Sequence, residues 1–400
     1  MAMLSVEEAE ARVLGLCEPL PAEAVAIDEA IDRALAEDVR AVRTLPPWDN
    51  SAMDGYALRH GDLATTLELR VVETIFAGQS PARALGPGEC ARIMTGAPLP
   101  PGADTVVMQE KTTAGDGAVR IDEAPAKGAN VRLRGEDVHA GALLFPAGTG
   151  VGLAEAGALW AQGLTHVKVH ARPRVAIAAS GDELAPVGTP PGDKLVDSNS
   201  PVIAAAVRRA GGLPSLLGLA PDRLDALVSR FAQGLSSDVF ITLAGASVGE
   251  RDFTRDAFAQ LGVEVDFFKV AMKPGKPLAV GRKGRTLIFG LPGNPVSAMV
   301  TFERFVRPAL KKLQGLPPGP RVVTGKAAEP LKGSPHLRLF VRARVEHRDG
   351  ALWATPLTSQ SSGAMSSATG ATHLISLPPG TGAVATGSEI ELLELRWLEA

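Results

Sequence analysis

The sequence predicts a multi-domain protein of α/β and β domains, built around a central, open and mostly parallel α/β sheet. Two observations predict this architecture. From residue 172 to residue 313, continuous apolar strands alternate with helices of about ten residues or more, which is typical of a parallel sheet with helices on its faces. Before and after that region, short apolar runs are separated by Gly, Pro and Asp, which indicates compact β modules. The 43 Gly and 31 Pro exceed the roughly 48 that average usage gives for both together, so turns are plentiful.

The N-terminal part carries helical signals on either side of a β-rich segment. Ser5 and Glu8 have the spacing of a capping box and open an Ala/Leu-rich helix. We predict a second helical segment over about 24–39 and a third over 153–162, followed by a strand at 165–169. Between these helices, strands are predicted at 67–72, 91–94, 105–108 and 118–121.

The central region supplies the parallel sheet and its helices. Buried strands are predicted at 174–179, 213–219, 238–243, 263–270 and 286–289. Helices are predicted at 201–210, 221–233, 252–261 and 295–313. The linker Leu316-Pro-Pro-Gly-Pro320 follows, and the apolar runs after it predict a small β module at the C-terminus.

The composition excludes several classes of protein. A net formal charge of −3 argues against broad binding of nucleic acid or of anionic membranes. Cys17 and Cys90 are too few for a disulfide framework or a thiolate zinc site. The first ten residues are unlike a secretory or mitochondrial leader, and the least charged window, 140–165, is broken by Pro and Gly. We therefore expect a cytoplasmic protein without nucleic-acid or membrane partners.

Three glycine-rich loops each follow a predicted buried strand. Because ligands of an open α/β sheet bind beyond the carboxyl ends of its strands, these loops predict one binding crevice. Gly293 lets backbone N–H groups approach an anion, and Asn294 suits the N-cap of the long helix. Taken singly, each loop is also compatible with an ordinary structural turn. The candidate ligand-binding residues of the three loops are Ser180, Gly181, Asp182, Gly245, Ser247, Gly249, Pro292, Gly293, Asn294 and Ser297.

A fourth loop, Lys273-Pro-Gly-Lys276-Pro277, carries two lysines. Its two prolines restrain the chain, so the two ammonium groups would be held towards a phosphate or another oxyanion. The alternative is a basic turn on the protein surface.

Several carboxylates fall in the same loops. Asp182, Glu183 and Asp252 would lie near the predicted anion site, and Mg²⁺ prefers carboxylate together with phosphate oxygens. This combination suits a phosphorylated ligand that is bound with a divalent metal. Taken singly, each acid is more often a helix cap or a solvated residue.

Two further clusters lie before the α/β region and mix acidic, basic and hydroxyl groups. Asp49 to Tyr56 holds two carboxylates and the single tyrosine, while the motifs around Thr95 and Asp137 hold arginines. Such groups usually form structural turns. The sequence has no P-loop, no Ser-His-Asp order and no dinucleotide-binding fingerprint.

At these motifs the chain resembles the MoeA-type molybdopterin molybdenumtransferases, a family related to the C-terminal domain of gephyrin. The resemblance covers the whole chain and is strongest from Trp48 to Pro308. The matching motifs, in family order, are Asp49-Asn-Ser-Ala-Met-Asp-Gly-Tyr-Ala57, Arg92-Ile-Met-Thr-Gly-Ala-Pro98, Arg134-Gly-Glu-Asp137, Ser180-Gly-Asp-Glu-Leu184, Ser247-Val-Gly-Glu250, Lys273-Pro-Gly-Lys-Pro277 and Gly290-Leu-Pro-Gly-Asn-Pro-Val-Ser297.

The resemblance implies an elongated homodimer of four-domain subunits. It implies an extended helical domain from residues 1–45 and 139–171, with a β-rich domain inserted at 46–138. The α/β domain, residues 172–316, is expected to resemble a molybdopterin-binding fold. Residues 317–400 are expected to form a small C-terminal β-barrel.

The reaction that the resemblance implies joins molybdate to adenylylated molybdopterin, aided by Mg²⁺, and releases AMP. Positions matched to molybdate binding are Lys276, Pro277, Ser247, Ser297 and, in the C-terminal module, Arg342 and Ser362. Positions matched to the pterin-nucleotide pocket are Lys273, Asp182, Glu183, Gly245 and Asn294.

Asp54, Thr95 and Asp137 match residues that reach the site from the other subunit, so catalysis is expected to need the dimer. The expected catalytic residues are Asp54, Thr95, Asp137, Glu183, Lys273 and Lys276, and the expected metal ligands are Asp182, Glu183 and Asp252.

Two alternatives stay open at this point. Molybdopterin adenylyltransferase activity belongs to a smaller, single-domain relative, and the extra modules of this chain count against it. A non-catalytic binding or scaffold module, as in the receptor clustering of gephyrin, usually depends on an attached adenylyltransferase domain and a long linker. We expect an enzyme, with a molybdopterin adenylyltransferase and molybdoenzyme apoproteins or their chaperones as candidate partners.

Overall fold

The computed structural model describes residues 3–243, 253–395 and 397, which divide into two units. The first unit contains Met1–Ala36, Gly148–Leu153 and His166–Ala400, and the second contains Glu37–Ala147 and Ala154–Thr165. Every helix in the described part of the chain is too short or too polar to cross a membrane.

A six-stranded sheet forms the centre of the first unit. Five of its strands run in the same direction and only Pro277–Lys283, next to one edge, runs against them, which confirms the prediction of an open, mostly parallel sheet. The central strand Val239–Leu243 is buried at every position, because helices cover both faces of the sheet. In spatial order the strands are Leu213–Ala220, Arg174–Ser180, Val239–Leu243, Thr286–Leu291, Pro277–Lys283 and Glu264–Lys269.

The two faces of this sheet have separate apolar cores. One core is built around Phe302 and Phe305, and the other around Phe231, Phe240 and Phe258. The helices of the first face are Val6–Gly15, Asn199–Arg209 and a continuous stretch of Pro295–Thr301, the π-helical Phe302–Val306 and Arg307–Leu313. The helices of the second face are Leu224–Gly234 and Phe253–Gln260.

The N-terminal segment corrects one prediction. The capping box of Ser5 forms as expected, but the helix predicted over 24–39 is wrong. Instead, Ala22–Ala26 is a strand that pairs antiparallel with His166–His170, and only Ile27–Ala30 is helical. Pairing with a strand far away in sequence outweighs the helix propensity of the alanines.

The C-terminal region of the first unit is a closed five-stranded barrel, as predicted. The barrel closes because Arg338–Arg348 pairs with Ala351–Pro356 on one side and with His373–Leu377 on the other. Val322–Ala327 and Glu389–Glu394 complete the ring, whose interior is filled by small and aliphatic side chains. Shorter elements of this unit are Leu184–Ala185, Leu195–Val196, Met272–Lys273, Leu331–Lys332, Met365–Ala368 and Ala383–Val384.

The second unit is organised by another six-stranded sheet. In the strand next to one edge, Gly55 has no room for a side chain, because a Cβ there would overlap the carbonyl oxygen of Val107 on the edge strand. In spatial order the strands are Thr105–Met108, Gly55–Leu58, Glu89–Ile93, Glu68–Ile75, Ala118–Ile121 and Thr112–Ala114. The other elements are the strands Val39–Arg40, Asn50–Ser51, Val131–Arg132 and Leu143–Phe145, the 3-10 helices His60–Ala64 and Gln109–Lys111, and the helix Leu153–Ala161.

Candidate functional site at the carboxyl edge of the sheet

A cavity of about 590 Å³ lies at the carboxyl ends of the parallel strands Arg174–Ser180, Val239–Leu243 and Thr286–Leu291. This is the place where ligands of open α/β sheets bind. Other lining residues include Asp197 and Asn199. Among its lining residues are seven that the sequence predicts to bind ligand: Ser180, Glu183, Pro277, Pro292, Gly293, Asn294 and Ser297.

The loop after the strand Thr286–Leu291 forms one wall of the cavity. Asn294 is the N-cap of the helix that follows, and Pro295 takes the first helical position, as expected from the motif. The Asn294 side chain does not cap this helix; its Nδ2 donates to Oγ of Ser362 at 3.4 Å. The backbone N–H of Val296 donates to the carbonyl oxygen of Ser362 at 3.1 Å. Ser362 is therefore attached to this wall of the cavity through two hydrogen bonds.

The loop after the strand Arg174–Ser180 forms a second wall. Gly181 has a φ of +153°, and a Cβ there would lie 2.7 Å from a carboxylate oxygen of Glu183. The absence of a side chain at Gly181 thus allows Glu183 to fold back towards the strand end and line the cavity. The neighbouring Asp182 accepts a hydrogen bond at Oδ1 from the backbone N–H of Asp222 at 3.2 Å. The two adjacent acids therefore differ: Glu183 lines the cavity, whereas Asp182 does not line it and holds the neighbouring loop at Asp222.

A third wall comes from the start of the helix Asn199–Arg209. This helix begins two residues before the predicted position, and Asp197 accepts the backbone N–H of Ser200 at 3.1 Å. Asn199 donates from Nδ2 to the carbonyl oxygen of Gly293 at 2.7 Å, which joins the third wall to the first. Asn199 was not among the predicted site residues. The only sequence signal that could have found it is the run Asp197-Ser-Asn-Ser200 between a strand and a helix at this edge of the sheet.

The barrel contributes a fourth wall through the loop 359–367, from which Gly363 and Met365 line the cavity. Sequence reasoning missed both residues, since the folding of this loop against the α/β sheet depends on barrel closure. The loop is held from behind by Arg342. This fully buried side chain donates from Nε to the carbonyl oxygen of Ser367 at 3.1 Å, and from Nη2 to the carbonyl oxygens of Ser359 at 3.2 Å and Ser361 at 3.3 Å.

Arg342 has no ion pair among the described residues, and burial lowers the pKa of its guanidinium below the usual value. A buried cation that is satisfied by carbonyl oxygens is unusual, because burial without an anionic partner is unfavourable. Its Nη1 has no hydrogen-bond partner in the described part of the chain. Arg342 does not itself line the cavity; it lies behind the loop that does.

The two lysines of the fourth loop lie beside the cavity lining. Lys273 belongs to the strand Met272–Lys273, which pairs parallel with the first barrel strand, Arg338–Arg348. Lys273 and Lys276 are exposed and have no ion pair in the described residues, while Pro277 lines the cavity. Gly275 has a φ of +100°, and a Cβ there would lie 2.5 Å from Cγ2 of Thr301. The turn is therefore packed closely against the helix Pro295–Thr301.

In the second unit, Asp54 and Thr95 form a hydrogen-bonded pair. Oδ1 of Asp54 accepts the backbone N–H of Thr95 at 2.7 Å and its hydroxyl at 2.8 Å. These bonds, the backbone one first, hold the pKa of the Asp54 carboxyl below its usual value, and the positive charge of Arg92 adds to the effect. Arg92 is itself fixed by hydrogen bonds to Tyr56 and Gln109. Asp137, the third residue predicted from this unit, is exposed.

Part of the predicted site falls outside the described residues. Gly245, Ser247, Gly249 and Asp252 all belong to the stretch 244–252. Within the described ranges, no group of three or more His, Cys, Asp or Glu side chains lies close enough to hold a metal ion.

The fold and the cavity define a class: a multi-domain protein with a small-molecule site at the carboxyl edge of a doubly covered α/β sheet. Three family models match successive parts of the chain. Residues 4–163 match the MoeA N-terminal region (domains I and II), residues 176–312 a probable molybdopterin-binding domain, and residues 324–395 the MoeA C-terminal region (domain IV).

Curated relatives and solved structures agree with these matches. The molybdopterin molybdenumtransferase of Nostoc sp. is 38% identical over 387 residues, which span 93% of this chain and 88% of that protein. The Bacillus subtilis protein of the same name is 36% identical over 98% of this chain and 94% of its own length. The crystal structure of a Pyrococcus molybdopterin biosynthesis MoeA protein superposes with a TM-score of 0.83 at 29% identity, covering 98% of this chain and 99% of that one. The chain belongs to the MoeA family of molybdenum cofactor biosynthesis enzymes, and the resemblance and fold class predicted from the sequence are confirmed.

Proposed function

We propose that the protein is a molybdenum insertase, which joins molybdate to adenylylated molybdopterin with release of AMP and depends on Mg²⁺. The observation that carries the proposal is the cavity at the carboxyl edge of the sheet, where seven predicted ligand-binding residues meet. The names of the curated relatives, molybdopterin molybdenumtransferase, support the same activity. We further propose that the protein works in the cytoplasm as a homodimer, with a molybdopterin adenylyltransferase and molybdoenzyme apoproteins or their chaperones as partners.

The proposal keeps the four-domain division expected from the sequence. An extended helical domain would comprise residues 1–45 and 139–171, and an inserted β-rich domain residues 46–138. An α/β domain would comprise residues 172–316 and a barrel domain residues 317–400. In this division the cavity is lined by the α/β domain and the barrel.

In the proposed reaction the protein must hold two anions close together. Lys273 and Lys276 would neutralise the charge of the phosphate groups and of molybdate, because their ammonium groups are exposed beside Pro277 at the cavity. The hydroxyls of Ser180 and Ser297 would donate hydrogen bonds to the oxyanion. Donors that are fixed before the substrate arrives stabilise charge without reorganisation cost, so no protein nucleophile is required.

The proposed Mg²⁺ fits the acids at this edge of the sheet. Mg²⁺ in proteins is commonly held by one or two carboxylates together with substrate phosphate oxygens and water, so three protein ligands are not needed. Glu183 faces the cavity and Asp182 is adjacent, with Asp252 as the third candidate outside the described residues. These residues would hold the ion, which when bound supplies positive charge to the phosphate oxygens.

Asp54, Thr95 and Asp137 are proposed to act on the site of the partner subunit. Asp54 suits this role because an aspartate is ionised at neutral pH, its lowered pKa extends that ionisation to more acidic pH, and a carboxylate can orient a cation or a water molecule at the phosphates. Thr95 would fix the orientation of that carboxylate through its two hydrogen bonds.

The proposed function is tested by direct turnover. Purified protein is incubated with adenylylated molybdopterin, molybdate and Mg²⁺, and both AMP and active molybdenum cofactor are measured. We expect AMP release that depends on the enzyme, together with reconstitution of an apomolybdoenzyme. Lys276→Ala should reduce the rate at least about tenfold, since a charge-assisted hydrogen bond is lost. Lys332→Ala, at an exposed barrel lysine, is the matched control and should be unchanged. AMP release no higher than the background would refute the proposal.

A further inference from the structure

We infer that Thr301 is a positioning residue for oxyanion binding: its methyl group holds the turn that carries both lysines against the helix that carries Ser297. This lysine turn, residues 273–276, lies next to Pro277 of the cavity lining, and Ser297 lines the cavity itself. The inference rests on the proposed function, because it takes Lys276 and Ser297 as donors to molybdate. Thr301 lies beyond the motif that ends at Ser297, so no sequence motif indicated it.

The methyl group of Thr301 packs against Gly275 of the lysine turn. Gly275 is buried and has a φ of +100°, and a Cβ at this position would lie 2.5 Å from Cγ2 of Thr301, a distance at which two carbon atoms overlap. The side chain of Met272 lies on the same side, with its Cε 3.2 Å from that Cβ position. Thr301 and Met272 are both fully buried. The turn therefore rests on two side chains that belong to the protein interior.

Backbone hydrogen bonds fix the chain on both sides of this contact. On one side, the strand Met272–Lys273 pairs with the first barrel strand. On the other side, the carbonyl oxygen of Lys276 accepts the backbone N–H of Val270 at 3.0 Å. The contact between Gly275 and Thr301 restrains the chain between these two points, immediately before the ammonium-bearing Lys276.

The hydroxyl group of Thr301 fixes the direction of its methyl group. It bonds to the carbonyl oxygens of Ser297 at 2.8 Å and Ala298 at 3.0 Å, four and three residues earlier in the helix. A helical threonine has two common χ1 rotamers, and a bond of this kind selects between them. In the selected rotamer, Cγ2 of Thr301 meets Gly275.

The contact also relates the lysine turn to Ser297. Ser297 and Thr301 are four residues apart in the helix Pro295–Thr301, so their side chains lie on the same face of that helix. Packing of Gly275 on Thr301 therefore holds the lysine turn against the helix face that carries Ser297. Two donors at a fixed spacing bind an oxyanion more tightly than the same donors on a mobile turn, because less freedom is lost on binding.

Two substitutions of nearly equal volume separate the methyl group from the hydroxyl group, with the dissociation constant of molybdate measured by calorimetry. Thr301→Ser keeps the hydroxyl but leaves a gap beside Gly275, so we expect molybdate to bind about five- to tenfold more weakly. Thr301→Val keeps a methyl group against Gly275 and should bind molybdate within about twofold of the wild type. Unchanged binding in Thr301→Ser, or equal weakening in both variants, overturns the inference.

Thr286→Ser is the matched control for a general loss of stability. Thr286 is also buried and also donates to two carbonyl oxygens, those of Leu235 and Ser237. It begins the strand Thr286–Leu291, whose opposite end meets the cavity. Thr286→Ser removes the same methyl group from the far end of the sheet, so it should leave molybdate binding unchanged. Equal weakening in Thr286→Ser and Thr301→Ser would reduce the effect to stability and overturn the inference.

A double-mutant cycle tests the contact itself. Gly275→Ala places a methyl group onto Cγ2 of Thr301 and should weaken molybdate binding at least about tenfold. In the Thr301→Ser background the overlapping methyl group is gone, so Gly275→Ala should weaken binding at least about threefold less than it does in the wild type. The strain of an alanine at positive φ remains in both backgrounds and cancels in the comparison. Strictly additive effects would show that Thr301 does not act through Gly275.

Measuring AMP release beside molybdate binding separates the inference from the proposed function. If AMP is released but the cycle is additive, the inference fails and the proposed function stands. If molybdate binds and the cycle is non-additive without AMP release, the proposed function fails and the role of Thr301 in oxyanion binding stands. A wild type that binds no molybdate overturns the inference.

Discussion

Oδ1 of Asp54 accepts both the backbone N–H and the hydroxyl of Thr95, at 2.7 and 2.8 Å. This arrangement directs one carboxylate oxygen to Thr95 and holds the pKa of Asp54 below its usual value. It also connects two of the sequence motifs of the second unit that resemble the family, since Asp54 precedes the strand Gly55–Leu58 and Thr95 follows the strand Glu89–Ile93.

Removing the Thr95 hydroxyl should shift the pH dependence of the enzyme. Because the pKa of Asp54 is lowered in the folded protein, the stabilisation from its ionised form is present above the ordinary pKa and is lost as the pH falls through the lowered value. In Thr95→Val one of the two bonds is gone, so the pKa rises and the acid side of the AMP-release profile moves to higher pH. Thr95→Ser keeps both donors and should follow the wild type. Superimposable acid limbs for wild type and Thr95→Val would show that the hydroxyl does not tune Asp54.

Arg342→Met should loosen the barrel loop at the cavity. The change leaves the carbonyl oxygens of Ser359 and Ser367 without their Arg342 donor and leaves that of Ser361 with the Ser367 hydroxyl alone, so we expect the free energy of unfolding in urea to fall by about 2–3 kcal/mol. Proteolysis within 359–367 should also become faster. Arg344→Met, at an exposed position of the same strand, is the control and should change stability by no more than ~0.5 kcal/mol. Equal stability of the two variants would mean that Arg342 does not hold the loop.

Gly55→Ala should destabilise the second unit. A Cβ at this position overlaps the carbonyl oxygen of Val107, so the two strands must move apart at a cost of ~1–3 kcal/mol or more. Thermal melting should show a lower transition temperature. Gly61→Ala is the control, because a Cβ there meets nothing within 4 Å. A melting curve unchanged from wild type would contradict the close packing at Gly55.

Removal of Mg²⁺ should abolish turnover, and Glu183→Gln should raise the Mg²⁺ concentration needed to restore it. Treatment with EDTA followed by Mg²⁺ titration measures both effects. An amide is a weaker ligand than a carboxylate, so we expect the half-maximal Mg²⁺ concentration to rise about tenfold. Glu329→Gln, at an exposed barrel residue, should leave the titration unchanged. Identical titrations for Glu183→Gln and wild type would exclude Glu183 as a ligand.

The proposed contribution of Asp54 to the partner's site can be tested by mixing two inactive variants. Asp54→Ala and Lys276→Ala are mixed in equal amounts, unfolded and refolded together. If the two residues act on one site from different subunits, half of the dimers contain one intact site, and about a quarter of the wild-type AMP release returns. If they act within one subunit, no dimer contains an intact site and the mixture stays inactive.

The sequence predicted the parallel sheet and the loops that begin at Ser180 and Gly290, because these features depend on local patterns, while the third glycine-rich loop, 245–252, lies outside the described residues. A continuous apolar run such as 238–243 is compatible with little but a buried strand, and the Gly293-Asn294-Pro295 motif determines its own turn and helix start. The position of the cavity then followed from the general rule for open α/β sheets.

Other features depend on contacts between distant parts of the chain, and these could not be predicted. The strand Ala22–Ala26 exists because it pairs with residues more than a hundred positions away, and its alanines gave a misleading helical signal. Asn199 is held at the cavity by its hydrogen bond to the carbonyl oxygen of Gly293, and no sequence motif predicts that hydrogen bond. Arg342 is buried because the barrel closes around its strand. From the sequence alone, an arginine in an alternating strand is expected to face the solvent.

The pairing of Met272–Lys273 with the barrel strand Arg338–Arg348 limits how this protein can be divided. The turn that carries both lysines has its backbone hydrogen-bonded to the barrel, and Phe340 and Leu374 of the barrel share one core with Phe302 of the helical stretch. An α/β fragment cut at the linker 316–320 would keep the turn of Lys273 and Lys276 but lose the barrel strand with which that turn pairs. The fragment would also expose to solvent the part of the shared core around Phe302 that the barrel covers. Chimaeras between relatives should therefore exchange the barrel and the α/β sheet together, and a fragment of low solubility would reflect this shared interior rather than a defect in the loops that line the cavity.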